Sequence, residues 1–174
     1  ILSTIKNGYK FIIKQGEASK NIDNYYLINK FLLENEFDRN DLIIAVGGGV
    51  VIDLSAFVAS TYKRGIDFVN IPTTLLAMVD ASVGTKTGVN LGGLKNMVGS
   101  FSQPQMVLID TTFLETLPGN QMRSGLAEMF KHGLIADASY WNQLKNLSEL
   151  TTEDLLLLIY HSVSLKNEIV LQDP

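Results

Sequence analysis

LIIAVGGGVV, from Leu42 to Val51, is the stretch that decides the fold of this chain. Leu42 to Val46 form a continuous apolar run, which predicts a strand buried on both faces of a parallel sheet. Gly47 to Gly49 follow, and Val50 to Ser60 then predict a helix. Glycines let a ligand approach the backbone closely, and the free N–H groups at a helix start attract anions. The stretch is therefore either a phosphate-binding turn or a plain strand–turn–helix corner. Three consecutive glycines favour phosphate, although their spacing is not the G-x-G-x-x-G of a Rossmann fingerprint.

The composition indicates a globular protein with a sizeable core. The chain has 174 residues, 46% of them hydrophobic, which suits one domain or one domain and part of another. The lack of cysteine excludes disulfides and thiolate metal sites. No apolar run approaches the roughly 20 residues that cross a bilayer, and no secretory leader is visible, so we expect a cytoplasmic protein without a membrane partner. The net charge of −4 argues against nucleic acid as a partner but allows a small anionic substrate.

The segments around the glycine stretch alternate between strand and helix patterns. The predicted elements are a strand from Tyr9 to Ile13, a helix from Asn21 to Glu36, a strand from Phe68 to Ile71 closed by Pro72, a short helix through Leu75, Leu76 and Met78, and a strand from Met106 to Ile109. This alternation predicts an α/β fold with a parallel sheet. Ligands of such sheets bind beyond the carboxyl ends of the strands, where the glycines, Thr73 and Thr74 lie.

Hydrophobic periodicity is lost from Asp80 to Phe101, where small and polar residues dominate. We expect a long irregular loop, and such loops inside compact chains are usually functional or disordered. Because the segment carries Lys86 and Lys95 among glycines, it suits a cation-lined binding loop. A mobile hairpin is the alternative.

Pro118 marks a change of architecture, because the chain after it has helical patterns. We expect an α/β nucleotide-binding domain over residues 1–118 and the opening helices of an α-helical domain over residues 119–174. The second long helix is expected from Glu153 to Leu171.

Glu128 and His132 are spaced to share one face of the first of these helices. A carboxylate and an imidazole at this spacing can meet one cation, but two ligands do not make a metal site, and no third ligand is near in sequence. The alternative is a solvated or capping His132. His161 has no acidic neighbour in register and is expected to be structural.

Six motifs in this order carry a resemblance to a known family. They are GGGVVID, YKRG, IPTTLLAMVDASVGTKTGVN, LKNMVGSF, ETLP and GLAEMFKHG. Together they resemble the 3-dehydroquinate synthase family over nearly the whole chain. Iron-dependent alcohol and glycerol dehydrogenases share the triple glycine and the proline–threonine turn, but KTGVN and LKN are not expected in them.

The resemblance implies a lyase of the shikimate pathway of aromatic amino acid biosynthesis. Such an enzyme converts 3-deoxy-D-arabino-heptulosonate 7-phosphate into 3-dehydroquinate and phosphate, by transient oxidation, phosphate elimination, re-reduction and aldol closure. It uses NAD and a divalent metal, usually zinc with cobalt as an alternative, and is expected to be a homodimer. Another sugar phosphate cyclase, or a non-catalytic truncated homologue that binds nucleotide, remains open as an alternative.

The resemblance also assigns site residues. The residues matched to NAD binding are Glu17, Lys20, Gly48, Gly49, Val50, Asp53, Thr73, Thr74, Lys86, Lys95, Asn96, Thr116 and Leu117. The residues matched to substrate binding and catalysis are Arg64, Asp80, Lys86, Lys131 and Lys166, with Arg64 reaching the substrate phosphate in the partner subunit. Glu128 is matched to a metal ligand.

The chain departs from the family pattern in its loop and in its extent. Thr85 stands where the family commonly has glycine, and Ala81 where it often has serine, which bears on loop geometry. Family members are about twice as long, so we expect a further strand–helix unit before Ile1 and two metal-binding histidines beyond Pro174. His132 and His161 do not match those histidines.

Overall fold

The structure is a computed structural model that describes residues 8–145 and 152–172. The strands are β1 (Leu42–Gly47), β2 (Asp67–Pro72), β3 (Lys86–Leu91), β4 (Leu94–Phe101) and β5 (Met106–Val107). The α-helices are α1 (Ile22–Glu34), α2 (Gly49–Thr61), α3 (Gly119–Ala136), α4 (Ala138–Leu144) and α5 (Thr152–Gln172). Within these ranges, β1, β2 and β5 form a parallel sheet with β2 in the centre, which confirms the predicted α/β class.

Helix α2 connects β1 to β2 and covers one face of the sheet. Leu54 and Val58 on α2 are fully buried and pack in one core with Phe68 of β2. Helix α1 joins this core through Tyr25, whose ring stacks on Phe57 with centroids 4.7 Å apart. The side chain of Asn21 begins α1 by accepting a hydrogen bond from the N–H of Asn24.

Two expectations about the strands are wrong. Residues Tyr9 to Ile13 pair with no strand in the described chain, and the Tyr9 ring instead packs against Phe31 and Phe37. β1 is not buried on both faces, because Leu42, Ile44 and Val46 on its second face are 45%, 39% and 37% exposed. The apolar run correctly predicted a strand, but α2 covers only one face of it.

Within the segment from Asp80 to Phe101, residues 86–101 form a β-hairpin, so the expectation of an irregular loop is wrong and the hairpin named as the alternative is present. β3 and β4 pair antiparallel, and they meet at a turn in which Gly92 and Gly93 both have positive φ. Small and polar residues dominate the hairpin, and most of β4 is exposed, so no hydrophobic alternation is visible. The predicted short helix through Leu75, Leu76 and Met78 is present, and it continues as a π-helix from Ala77 to Ala81 before the hairpin.

Helices α3, α4 and α5 pack around a second core that includes Met129, Tyr140 and Ile159. The sequence predicted the two long helices but missed α4, which Asp137 caps by accepting from the N–H groups of Ser139 and Tyr140. α3 approaches its neighbours through glycine. A Cβ on Gly125 would lie 2.5 Å from the Cβ of Leu75. None of the helices within residues 8–145 and 152–172 is both long and apolar enough to cross a bilayer.

Candidate functional site

The glycine turn lies at the carboxyl ends of β1 and β2. Gly47 ends β1, Gly48 is the N-cap of α2 without a side-chain cap, and the N–H of Thr73 donates to the carbonyl of Gly47 at 2.9 Å. A Cβ added to Gly48 would meet Cγ2 of Thr74 at 3.1 Å. The structure thus brings together Gly48, Gly49, Val50, Thr73 and Thr74, and the start of α2 presents the backbone donors of an anion site.

Lys20 is buried and connects three segments of the chain. It is only 5% exposed, forms an ion pair with Asp53 of α2, and donates to Oδ1 of Asn96 on β4 at 2.6 Å. Burial raises the pKa of Asp53, and the hydrogen bond and charge of Lys20 oppose that rise. Lys20 therefore holds Asp53 and Asn96 in place, a contact that the sequence did not predict.

A second set of contacts ties the hairpin to the turn that contains Glu17. Oε1 of Glu17 accepts from the side-chain amide of Asn90 at 2.9 Å and lies 3.8 Å from Nζ of Lys95. Oδ1 of Asn90 in turn accepts from the N–H of Asn96. Glu17, Lys95 and Asn96, which the motifs named separately, therefore lie in one cluster.

A pocket of about 340 Å³ lies between α2 and the hairpin. Its lining residues are Asp53, Lys86, Thr87, Gly88, Asn96, Gly99, Ser100 and Phe101. Asp53, Lys86 and Asn96 were predicted as site residues, and they come from three separate segments of the chain. The pocket therefore brings together predicted site residues of α2, β3 and β4.

Asp80, at the end of the π-helix, is held by a lysine from α5. Nζ of Lys166 donates to Oδ1 of Asp80 at 2.5 Å and also to its backbone carbonyl. These residues are 86 positions apart in sequence. The resemblance named both residues but not their contact.

Glu128 lies on α3 beside two nitrogen groups. Nζ of Lys131 forms an ion pair with its Oε1, and Nε2 of His132 lies 3.4 Å from the same oxygen. That oxygen is buried, and no described residue makes a well-aligned hydrogen bond to it. An oxygen of this kind is suited to a cation or to a donor that shifts slightly.

His132 is neither solvated nor a cap, so that expectation is wrong. It is 4% exposed, and its Nδ1 lies 2.6 Å from Oγ of Ser162 on α5. Burial lowers the pKa of His132, with the Glu128 charge opposing the effect. His161, expected to lack an acidic neighbour, instead pairs with Asp137 from the turn before α4 at 2.9 Å.

Ligand atoms of Asp80, Glu128 and His132 all lie within 4.8 Å of one another. No third ligand was near Glu128 and His132 in sequence, but in the structure Asp80 of the π-helix supplies one. Lys166 and Lys131 face the two carboxylates, however, and their charges oppose a second cation at the same atoms. The donor set suits a divalent metal that uses Glu128 with further ligands.

Three of the predicted residues neither line the pocket nor make a hydrogen bond or ion pair to another predicted site residue in the described chain. Arg64 is exposed in the turn after α2, at the opposite end of that helix from the glycines. Thr116 ends a 3-10 helix, and Leu117 follows it and packs against the second core. Among the described residues, no hydrogen bond connects Thr116 or Leu117 to the glycine turn.

Sequence reasoning did not name seven residues that the geometry places at or beside the site. They are Thr87, Gly88, Asn90, Gly99, Ser100, Phe101 and Ser162. Asn90 and Phe101 end quoted motifs, so their position in the hairpin was a usable signal. Ser162 lies in an ordinary helical pattern, and nothing in the sequence links it to His132.

Comparison with protein families matches both parts of the chain. Residues 10–124 match the family described as 3-dehydroquinate synthase N-terminal, and residues 125–174 match 3-dehydroquinate synthase C-terminal. The 3-dehydroquinate synthase of Prochlorococcus marinus is 51% identical over 168 residues, which cover 93% of this chain and 46% of that protein. That of Streptococcus mutans is 50% identical over 166 residues, covering 94% and 47%.

Solved structures also match most of this chain. The 2-epi-5-epi-valiolone synthase of Streptomyces hygroscopicus, with NAD⁺ and Zn²⁺ bound, is 31% identical with a TM-score of 0.82, and the match covers 90% of this chain and 45% of that one. A 2-deoxy-scyllo-inosose synthase complexed with carbaglucose-6-phosphate, NAD⁺ and Co²⁺ is 28% identical with a TM-score of 0.77 and the same coverage. The chain spans about half the length of the curated relatives it matches. This chain belongs to the 3-dehydroquinate synthase family.

Proposed function

We propose that the whole protein is a 3-dehydroquinate synthase that releases phosphate from 3-deoxy-D-arabino-heptulosonate 7-phosphate, using NAD and zinc or cobalt. Its sequence relatives carry this name, and its structural neighbours bind NAD⁺ with Zn²⁺ or Co²⁺. The proposal includes a cytoplasmic homodimer and a domain boundary near Pro118. The break between the two family matches after residue 124 supports such a boundary.

The pocket between α2 and the hairpin is the observation that carries the proposal. Asp53, Lys86 and Asn96 line it, and the start of α2 lies one helical turn before Asp53. A nucleotide phosphate at the helix start and an anionic substrate near Lys86 would then lie close together, which suits hydride exchange between the nicotinamide ring of the same cofactor and the substrate.

The described residues fit NAD. The amino end of α2 has no side-chain cap, so its backbone donors can meet a pyrophosphate. The space over Gly48 is closed on one side by Thr74, which leaves a close approach to the backbone only while residue 48 lacks a Cβ. Asp53 is well placed for a hydroxyl of the cofactor, because Lys20 already fixes its carboxylate.

Glu128 also fits a metal, since its buried Oε1 lacks a well-aligned hydrogen bond in the described chain. When bound, NAD would accept and return a hydride, and the metal would stabilise negative charge on a substrate oxygen. Lysines of the chain would bind the substrate and position a carboxylate. Lys86 and Lys131 would hold anionic groups of the substrate, and Lys166 would fix the direction of Asp80.

Phosphate release by the whole protein tests the proposal. With NAD and zinc present, we expect turnover of the heptulosonate phosphate. Lys86→Met should reduce kcat/KM at least a hundredfold, a loss of about 2.7 kcal/mol in transition-state stabilisation. Its thermal midpoint should stay within a few degrees, because Lys86 is exposed. Lys30→Met is the matched control, since Lys30 is an exposed lysine paired with Glu34 away from the pocket.

The alternatives predict other results. Turnover of glucose 6-phosphate, which carbaglucose-6-phosphate resembles, in place of the heptulosonate phosphate would indicate another sugar phosphate cyclase. NAD binding without phosphate release from either compound would indicate a nucleotide-binding homologue. Equal activity of Lys86→Met and Lys30→Met would remove Lys86 from the reaction.

A further inference from the structure

We propose that His132 is a positioning residue that orients the carboxylate of Glu128 for a metal, and that Ser162 selects the tautomer of His132 that can do so. The proposal rests on the proposed function, in which Glu128 is a metal ligand. It adds two residues, from α3 and α5, that neither the motifs nor the comparisons assign to the site.

The geometry supplies one nitrogen to each partner. Nε2 of His132 lies 3.4 Å from the buried Oε1 of Glu128, and Nδ1 lies 2.6 Å from Oγ of Ser162. His132 is 4% exposed and Ser162 is fully buried, so water does not replace these contacts. A buried imidazole between a carboxylate and a hydroxyl is fixed in both position and ring orientation.

The direction of the hydrogen bonds follows from Glu128. A carboxylate oxygen accepts, so a neutral ring that faces it with Nε2 carries its N–H there. Nδ1 is then the acceptor, and the hydroxyl of Ser162, 2.6 Å away, is its donor.

This arrangement would matter because two groups, Lys131 and His132, lie beside the same oxygen of Glu128. Lys131, which is half exposed, pairs with the same Oε1 from the solvent side. At 3.4 Å, Nε2 of His132 and Oε1 of Glu128 are not yet aligned as a hydrogen bond, but a small shift of the carboxylate on metal binding would let Nε2 donate from the buried side and hold it in one orientation while Lys131 exchanges with substrate or water. Partners of this kind usually contribute 10- to 100-fold to metal affinity.

Zinc titration of the metal-free whole protein by calorimetry tests the proposal. His132→Leu removes the donor at similar volume and should weaken zinc binding about 10- to 100-fold. His132→Gln, whose amide nitrogen can replace Nε2–H but binds zinc poorly, should restore most of the affinity. Ser162→Ala should weaken zinc in the same direction by less. His161→Leu is the matched control and should bind as wild type, since His161 pairs with Asp137 instead.

The possible outcomes separate this proposal from the function on which it rests. If Glu128→Gln binds zinc like wild type, the metal assignment itself fails. If Glu128→Gln loses zinc but His132→Leu does not, the positioning role is wrong. A loss in His132→Leu as complete as in Glu128→Gln, without rescue by glutamine, would make His132 a ligand and overturn the proposal. Should His132→Leu fail to fold, Ser162→Ala and His132→Gln decide: unchanged zinc affinity in Ser162→Ala, or no binding in folded His132→Gln, also overturns it.

Discussion

Gly48 is the residue at which turn geometry and cofactor binding are hardest to separate. A methyl group there would touch Thr74 at 3.1 Å and would also occupy the space that a phosphate needs. We expect Gly48→Ala to weaken NAD binding at least tenfold, or about 1.4 kcal/mol, in a fluorescence titration of the whole protein.

A double variant separates the two causes. Thr74→Ser removes the methyl group that Gly48→Ala would touch but keeps the hydroxyl, which accepts from the N–H of Ala77. We expect the double variant Gly48→Ala/Thr74→Ser to remain weak in NAD binding, because the added methyl still faces the phosphate. Recovery of wild-type affinity would show that Gly48 serves only internal packing.

At the scale of elements, Lys20 joins α2 to the hairpin, and this contact has a pH signature. Burial raises the pKa of Asp53 above 3.8, so the folded chain holds this proton more tightly than the unfolded chain. The Asp53 contribution to stability therefore falls as pH rises through the interval between the two pKa values. Lys20 opposes this cost at neutral pH by stabilising the charged carboxylate.

Lys20→Met should consequently destabilise the whole protein more at pH 7 than at pH 4. We expect a loss of about 3 kcal/mol at pH 7, the usual result of leaving one buried charge unpaired, and a smaller loss at pH 4, where Asp53 is protonated more readily. Urea unfolding at both pH values measures the difference. In Lys20→Met/Asp53→Asn the extra loss at neutral pH should disappear. A loss in Lys20→Met that is the same at both pH values would contradict a coupled pair.

The elements also show which parts of the fold were predictable from sequence. β1 is a continuous apolar run that ends in glycine, β2 is a mostly apolar run that ends in proline, and α2 begins at the glycines; each was found within one or two residues. The hairpin was predicted only as an alternative to a loop, because its strands carry mostly small and polar residues and the two-residue period has little apolar signal. Tyr9 to Ile13 had strand-forming residues but pairs with no strand in the described chain.

The sequence predicted which residues belong to the site but not which of them contact one another. Motif matching named Lys20, Asp53 and Asn96 as cofactor contacts but not their contacts with one another, and the structure buries Lys20 between the other two. Contacts between residues far apart in sequence, such as Lys166 with Asp80, depend on how α5 packs against the π-helix. No local pattern encodes that packing.

At the scale of the whole molecule, the position of Arg64 bears on the oligomer. Arg64 follows α2, whose 13 residues place it about 20 Å from the glycine turn. An arginine so far from the pocket of its own chain is consistent with binding the substrate in the site of a partner subunit. We expect Arg64→Ala and Lys86→Met to be nearly inactive alone, and their mixture, after subunit exchange, to recover about a quarter of wild-type activity.

The quarter arises because half of the exchanged dimers are mixed and each mixed dimer has one intact site. Phosphate release measured before and after exchange gives the value. An exchanged mixture as inactive as its components would place Arg64 and Lys86 in the same subunit's site, and an active Arg64→Ala would remove Arg64 from the site.

The close contact at Gly125 has a consequence for the order of folding. Glycine inside a helix weakens it by about 1 kcal/mol relative to alanine, and α3 contains Gly133 as well, where a Cβ would lie 3.0 Å from the backbone of Trp141. α3 is thus a poor helix by itself and gains its stability on docking against Leu75 and α4. Glu128 and His132 lie between these glycines and already share one face of α3, but they meet Asp80 of the π-helix and Ser162 of α5 only when that docking is complete. We therefore expect the group proposed to bind the metal to form late, as a product of tertiary packing.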